Sequence, residues 1–187
     1  MLMLVLHIVL GLIWLVISAG KYPGLPQQKS PSEKSVPFFR VVQYLTIICF
    51  VYGVLNNYVR WEESTVLNFG SVAPAGLVLA SIALFVFYRS RKDLGTSFSP
   101  CVSMEIPDEF VCEGIYSKIR HPIYSSNLLF LSGAGISTGS FPLLVAAFSV
   151  GVMYVRSARI EEISLERAFN GYAAYKAATG AFIPKII

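Results

Sequence analysis

No Asp, Glu, Lys or Arg occurs between Met1 and Gly20, between Val41 and Val59, between Val66 and Tyr88, or between Ile123 and Val155. Charged side chains make up 14% of the 187 residues, against roughly 25% in an ordinary soluble domain. With 55% hydrophobic residues and a mean hydropathy of +0.61, a water-filled surface all round is excluded. Cysteine is scarce too. Cys49, Cys101 and Cys112 form no C-x-x-C pair, so neither a disulfide framework nor a zinc site is readable, and no metal is expected. The sequence lacks G-x-G-x-x-G, a P-loop, G-x-S-x-G and H-E-x-x-H, which argues against a Rossmann cofactor site and the common hydrolase centres. The closing residues "PKII" are not a prenylation signal.

What remains is membrane-length runs. Each of the first three uncharged runs is close to the ~20 residues that span a bilayer. The fourth is too long for one span, and "GAGISTGSFP" (Gly133 to Pro142) breaks it with glycines and a proline. It reads as a tight hairpin of two helices. The sequence therefore predicts one all-α, polytopic integral membrane domain over residues 1–187. Its five transmembrane helices fall at about 2–19, 41–59, 66–88, 123–137 and 141–156, with a cytoplasmic C-terminal amphipathic helix. The first run is read as a span rather than a signal peptide, because it lacks a basic n-region and exceeds a typical h-region.

Basic residues then set the topology. Every Lys and Arg except Arg60 lies in 21–40, 89–122 or 156–187. Five spans put those three segments on one side. The positive-inside rule makes that side cytoplasmic, with the N-terminus out. In a prokaryote this would be the cell inner membrane. The net charge of +4 is a topology and anionic-headgroup signal, and with no recognised binding module it gives no reason to expect nucleic acid.

Between spans, "KYPGLPQQKSPSEKSVP" (Lys21 to Pro37) reads as a loop. Pro74 predicts a kink in the third span. "SIALFVFYRSRKDLG" predicts a helix that leaves the membrane and stops at Gly95. "RSARIEEISLERAF" places Ile160, Ile163 and Leu165 among charges and extends the last span as the amphipathic helix. The closing "AFIPKII" is an apolar patch expected to pack or to touch the membrane. His7, deep in the first run, is expected to be neutral and hydrogen-bonded.

Chemistry concentrates in 94–124 and 156–175. "EGIYSKIRHPIYSSN" (Glu113 to Asn127) sets Arg120, His121 and Pro122 at the mouth of an uncharged run. Arg and His can simply anchor a helix at headgroup level, with Pro in the first turn. Alternatively, His121 and the following amides cradle a polar group at a helix N-terminus. Glu161 and Glu162 can pair with Arg156, Arg159 and Arg167 on an exposed face, or one of them can face the bundle and meet 113–124, binding an ammonium or sulfonium. Tyr116 and Tyr124 suit a membrane interface, or a π-face for such a cation.

In order, "KDLG", "FVCEGIYSKIRHPIY", "ARIEEISLERAF" and "FIP" resemble the isoprenylcysteine carboxyl methyltransferase family of integral membrane methyltransferases, with its prokaryotic relatives and phospholipid methyltransferases. The resemblance is carried by residues 92–187. It implies S-adenosylmethionine held in a cytoplasmic pocket. Asp108, Glu109, Phe110 and Val111 would line the cofactor through their backbone, with Tyr116, His121, Pro122, Ile123 and Tyr124 following and Glu161 near the methionine end. Where the family has an acceptor-contacting Arg four residues before that Glu, this sequence has Ser157, and Arg156 is the expected substitute. "FNGYAAY" is one residue shorter than the family's F-G-x-x-Y-x-x-Y.

The expected activity is methyl transfer to a lipophilic acceptor at the cytoplasmic face, leaving S-adenosylhomocysteine. The acceptor is the carboxylate of a prenylated cysteine or a related lipid-like molecule, and membrane lipids are the surroundings. The assigned catalytic residues are Arg156 for the acceptor, with His121 and Glu162 as base candidates. Such a site needs chiefly positioning, because a sulfonium donor is already reactive. An alternative is an NADPH-dependent sterol or lipid reductase using Arg89, Arg91 and Lys92 as a phosphate site. A further alternative is a phospholipid amine N-methyltransferase. His121 and Glu161 are expected on opposite walls of one pocket.

Overall fold

The computed structural model describes residues 2–18, 44, 47–55, 72–95 and 110–185. Among these the chain is helical throughout. The elements are α1 (Leu2–Ser18), α2 (47–55), α3 (Ala73–Leu94), a 3-10 turn (Gly114–Ser117), α4 (Pro122–Thr138), α5 (Phe141–Ala168) and α6 (Tyr172–Ala178). A single parallel bridge pairs Ile119 with Gly180. The Lys21–Pro37 loop, Arg60, Asp108 and Glu109 lie outside the described residues.

α4 is the central helix. Its small and weakly polar sequence, "PIYSSNLLFLSGAGIST", lets neighbours approach from several sides, and most of it is buried. The tightest approach is to α3. A Cβ added at Gly76 would lie 2.5 Å from the Gly133 carbonyl oxygen, and one at Gly133 would lie 2.7 Å from the Ala80 nitrogen. The two backbones touch, which is how membrane helices gain packing where lipid gives no hydrophobic drive between them. α1 joins α4 through polar pairs: His7 Nε2 lies 2.7 Å from Ser137 Oγ, and Trp14 Nε1 donates to Asn127 Oδ1 at 3.2 Å. His7 is thus hydrogen-bonded, as the sequence predicts.

The α4–α5 hairpin follows from three residues. Gly139 takes a left-handed φ of 66° and its N–H returns to α4. The Ser140 N–H donates to the Gly135 carbonyl at 3.0 Å. The Ser140 hydroxyl then caps α5 by accepting from the Leu143 N–H, and Pro142 sits where no N–H is needed. The predicted pair 123–137 and 141–156 is observed, but α5 runs without a break to Ala168. The amphipathic segment is the end of the same rod.

One expectation is corrected. Pro74 does not kink a span; it occupies the first turn of α3, where its ring costs no hydrogen bond. Of the five predicted spans, two described helices, α3 and α5, are long and apolar enough to cross a bilayer. α1 and α4 have 17 residues each. α3 ends as the sequence predicts, at Gly95 with φ 60°.

The close α3–α4 contact gives a first prediction. Gly133→Val should clash with backbone that cannot move aside, at a cost of about 1–3 kcal/mol or more. Thermal unfolding in detergent should show a clearly lowered midpoint, whereas Gly151→Ala, with only Leu128 side-chain atoms near it, should change little.

Candidate active site

The start of α4, the end of α5 and α6 meet around one carboxylate. Glu162 is 7% exposed, on the face of α5 that also buries Tyr154 and Ala158. Arg120 Nε donates to its Oε1 at 2.8 Å, His121 Nε2 lies 3.1 Å from the same oxygen, and Lys176 Nζ is 3.0 Å from Oε2. Burial works against ionisation, but the hydrogen bonds from His121, Arg120 and Lys176 outweigh it and hold the carboxyl at about 2. Arg120 has a second task. Its Nη1 donates to the carbonyls of Lys176, at 3.1 Å, and of Thr179, closing the C-terminal end of α6. Lys176 also pairs with Glu166 at 2.8 Å, and the two carboxylates raise its pKa, Glu166 first.

Glu161 is different. Its side chain is 32% exposed. Tyr124 Oη donates to its Oε1 at 2.5 Å, and His121 Nδ1 is 3.5 Å from its Oε2. Burial pushes its carboxyl up, against the Tyr124 hydrogen bond and His121. The two neighbouring acids therefore move in opposite directions, one fully engaged and ionised, the other reluctant to carry its charge. His121 bridges them, one ring nitrogen toward each.

The rings beside Glu161 form a stack. His121 lies nearly parallel to Tyr124 with centroids 5.4 Å apart, and Tyr124 lies on Tyr154 at 4.3 Å. Asn127 Nδ2 donates to Tyr154 Oη at 3.1 Å. A continuous set of contacts thus runs from Glu161 through Tyr124, Tyr154 and Asn127 to Trp14 on α1.

The closing segment completes one wall. The Arg120 and His121 N–H groups donate to the Gly180 and Ala181 carbonyls, each at 2.9 Å, and the Gly180 N–H donates to Lys118. Phe182 packs against His121, with centroids 5.8 Å apart, so part of the closing apolar patch packs as expected, while Ile183 is exposed. Phe110 sits among Phe169, Tyr172 and Tyr175. Tyr175 Oη donates to the Tyr116 carbonyl at 2.7 Å, and burial raises the Tyr175 phenol to about 12.

The structure brings together His121, Pro122, Tyr124, Glu161 and Glu162, with Ile123 buried behind them and Phe110 and Tyr116 on the neighbouring wall. Val111 is half-buried beside Phe110. His121 and Glu161 touch directly instead of facing each other across a pocket. The geometry bears on two further expectations. Arg156 is exposed; two residues from Tyr154 turns it to the outer face of α5, about 200° around the helix. Glu162 is a weak base here, because its three donors occupy its oxygens and lower its affinity for a proton. Arg120 and Lys176 were missed as partners of Glu162. Arg120 was in view at a helix mouth, but the fold that brings 176–182 back beside it leaves no local signature.

Residues 72–171 match the family model described as phospholipid methyltransferase, and the chain belongs to that family. The two apolar helices agree with association to a membrane. The chain is also similar to the cobalt-zinc-cadmium resistance protein CzcN of Cupriavidus metallidurans, 29% identical over 79% of this chain and 62% of that protein. The nickel-cobalt-cadmium resistance protein NccN of Alcaligenes xylosoxydans xylosoxydans is 25% identical over 81% of this chain and 65% of its own length. The chain thus spans less than two thirds of either relative.

The Glu162 cluster predicts a sign for acid stability. A carboxyl held from 4.5 down to about 2 contributes on the order of 3 kcal/mol. That contribution is complete above the unfolded carboxyl's pKa, about 4.3, and is lost as pH falls toward 2. Glu162→Gln should therefore lower the unfolding midpoint most at neutral pH, and its difference from wild type should shrink between pH 4.5 and 2. An equal gap at every pH would mean that the carboxylate charge does not matter.

Proposed function

We propose that this chain is a multi-pass membrane methyltransferase that takes S-adenosylmethionine at the end of the bundle where α4 begins and transfers its methyl group to a lipophilic acceptor. The observation that carries this reading is Glu161: a half-buried carboxylate with a raised pKa, held by Tyr124 beside a His121–Tyr124–Tyr154 stack, in a methyltransferase-family chain. The residues fit the cofactor. Glu161 would accept the ammonium at the methionine end, and the tyrosine faces would meet its cationic or ring portions. When bound, the cofactor supplies a methyl group on a positively charged sulfur. Glu162, Arg120 and Lys176 hold the walls in register, so that donor and acceptor meet without further reorganisation. The five-span topology, with N-terminus out and this site at the cytoplasmic face, belongs to the same proposal.

A carboxylate acceptor, such as that of a prenylated cysteine, needs no base. A lipid amine needs one, and His121 is then the candidate. Arg156 is exposed on the outer face of α5. The reductase alternative loses its support. Arg89 pairs with Asp93 at 3.4 Å, Arg91 is buried in the bundle and Lys92 is exposed elsewhere on the helix, so the three make no common phosphate site.

Calorimetric titration of the detergent-purified protein with S-adenosylhomocysteine should show saturable binding. Glu161→Gln should weaken it at least about tenfold, the ~1.4 kcal/mol of one charge-assisted hydrogen bond. The affinity of wild type should rise with pH as Glu161 ionises, starting above the usual carboxylate range, and Glu161→Gln should flatten that rise. Binding of NADPH alone would overturn the assignment. Incubating membranes with methyl-labelled cofactor then separates the acceptors: label released by alkali is a methyl ester, and label that resists alkali is on nitrogen.

A further inference from the structure

The outer face of α5 changes chemistry along its length. Phe141, Val145, Phe148 and Val152 recur at intervals of three and four residues and are all exposed, Phe148 at 75%. The same stripe continues through Arg156, Arg159, Ile160, Ile163 and Arg167, also all exposed, with Ile160 at 53% and Ile163 at 48%. Of the acids on this stretch, Glu162 is turned inward, Glu161 is held at the flank by Tyr124, and Glu166, exposed at the edge of the stripe in line with Phe148, pairs with Lys176. The usual amphipathic order is reversed in part here, with Glu162 inside and the isoleucines outside.

Length explains the inversion. At 28 residues, α5 is about 42 Å long. A bilayer is roughly 30 Å thick in its hydrocarbon and about 40–45 Å with its headgroups. A helix that enters at Phe141 therefore leaves the hydrocarbon near Ile160 and crosses the headgroup layer over its last two turns. There, isoleucines at the acyl boundary and arginines among phosphates both have suitable surroundings.

We propose that the Arg156, Arg159, Ile160, Ile163 and Arg167 stripe is a docking surface for anionic phospholipid headgroups. It would hold the Glu161–Glu162 end of α5 at headgroup depth. The inference rests on the membrane-spanning reading above. Three exposed guanidiniums, with the one exposed acid beside them, Glu166, already paired with Lys176, favour anionic over zwitterionic lipid. Each is exposed, and a planar guanidinium suits phosphate oxygens.

The test uses the full chain in nanodiscs of phosphatidylcholine alone or of equimolar phosphatidylcholine and phosphatidylglycerol, followed by thermal unfolding at low and high salt. Wild type should unfold several degrees higher in the anionic discs, and high salt should reduce that increment. Arg156→Gln/Arg159→Gln/Arg167→Gln should keep its midpoint in phosphatidylcholine and lose most of the increment. Should the triple variant fail to fold, Arg159→Gln alone should lose part of it. Lys92→Gln, a basic residue off this stripe, should keep it all. Equal midpoints in the two discs, an increment that survives in the triple variant, or an equal loss in Lys92→Gln would each overturn the proposal. So would Ile163→Ser converting a dimer to a monomer, since the face would then be a protein contact. A carbonate wash that frees the chain from membranes without detergent would instead defeat the spanning reading itself.

Discussion

One buried carboxylate holds the working end of this protein together. Glu162 sits near the end of a long rod, where α5 has few neighbours of its own. Its three donors come from two other places in the chain, the mouth of α4 and the short α6. An unpaired charge at that depth would cost several kcal/mol. The donors are therefore not optional, and each brings its own element with it. Arg120 fixes the entry to α4 and the exit from α6 at once, His121 is oriented as a bridge, and Lys176 closes the outer side. The ring stack and Glu161 lie on a surface that this arrangement has already made rigid.

The two adjacent acids show how a helix assigns separate tasks to neighbours. A step of about 100° sends Glu162 into the bundle and Glu161 to its edge. Both carboxylates share His121, yet one is saturated by donors and the other keeps an accessible side. A paired-acid motif can thus combine a structural anchor with a ligand-facing group. Exchanging the two would require rotating α5, which the tight Gly139–Ser140 hairpin and the Ala147–Val150–Tyr154 packing face prevent.

Much of this was legible in the sequence. The glycines and proline of Gly133 to Pro142 announce the hairpin, Gly95 announces the end of α3, and the order of Arg120-His121-Pro122 before Glu161-Glu162 points to a common site. What was not legible depends on return paths. Nothing local says that residues 179–182 fold back beside 118–121, so the occupied amides of Arg120 and His121 could not be foreseen. Nor does charge alone tell Arg156 from Arg120, because both sit at helix ends. Only the phase of α5, fixed by packing at Tyr154 and Ala158, turns one outward while the other goes in. Pro74 was misread for a related reason: an uncharged run marks what can enter a membrane, and the helix inside it begins later.

The return of residues 176–182 to the mouth of α4 also has a consequence for the order of synthesis. Arg120 and His121 leave the ribosome first and Glu162 follows about forty residues later. Lys176 and the carbonyls of Thr179, Gly180 and Ala181 come last. Until then Arg120 and Glu162 have only each other and His121, at the level where lipid gives way to water. The site cannot be complete before residues 176–182, made after α5, are synthesised.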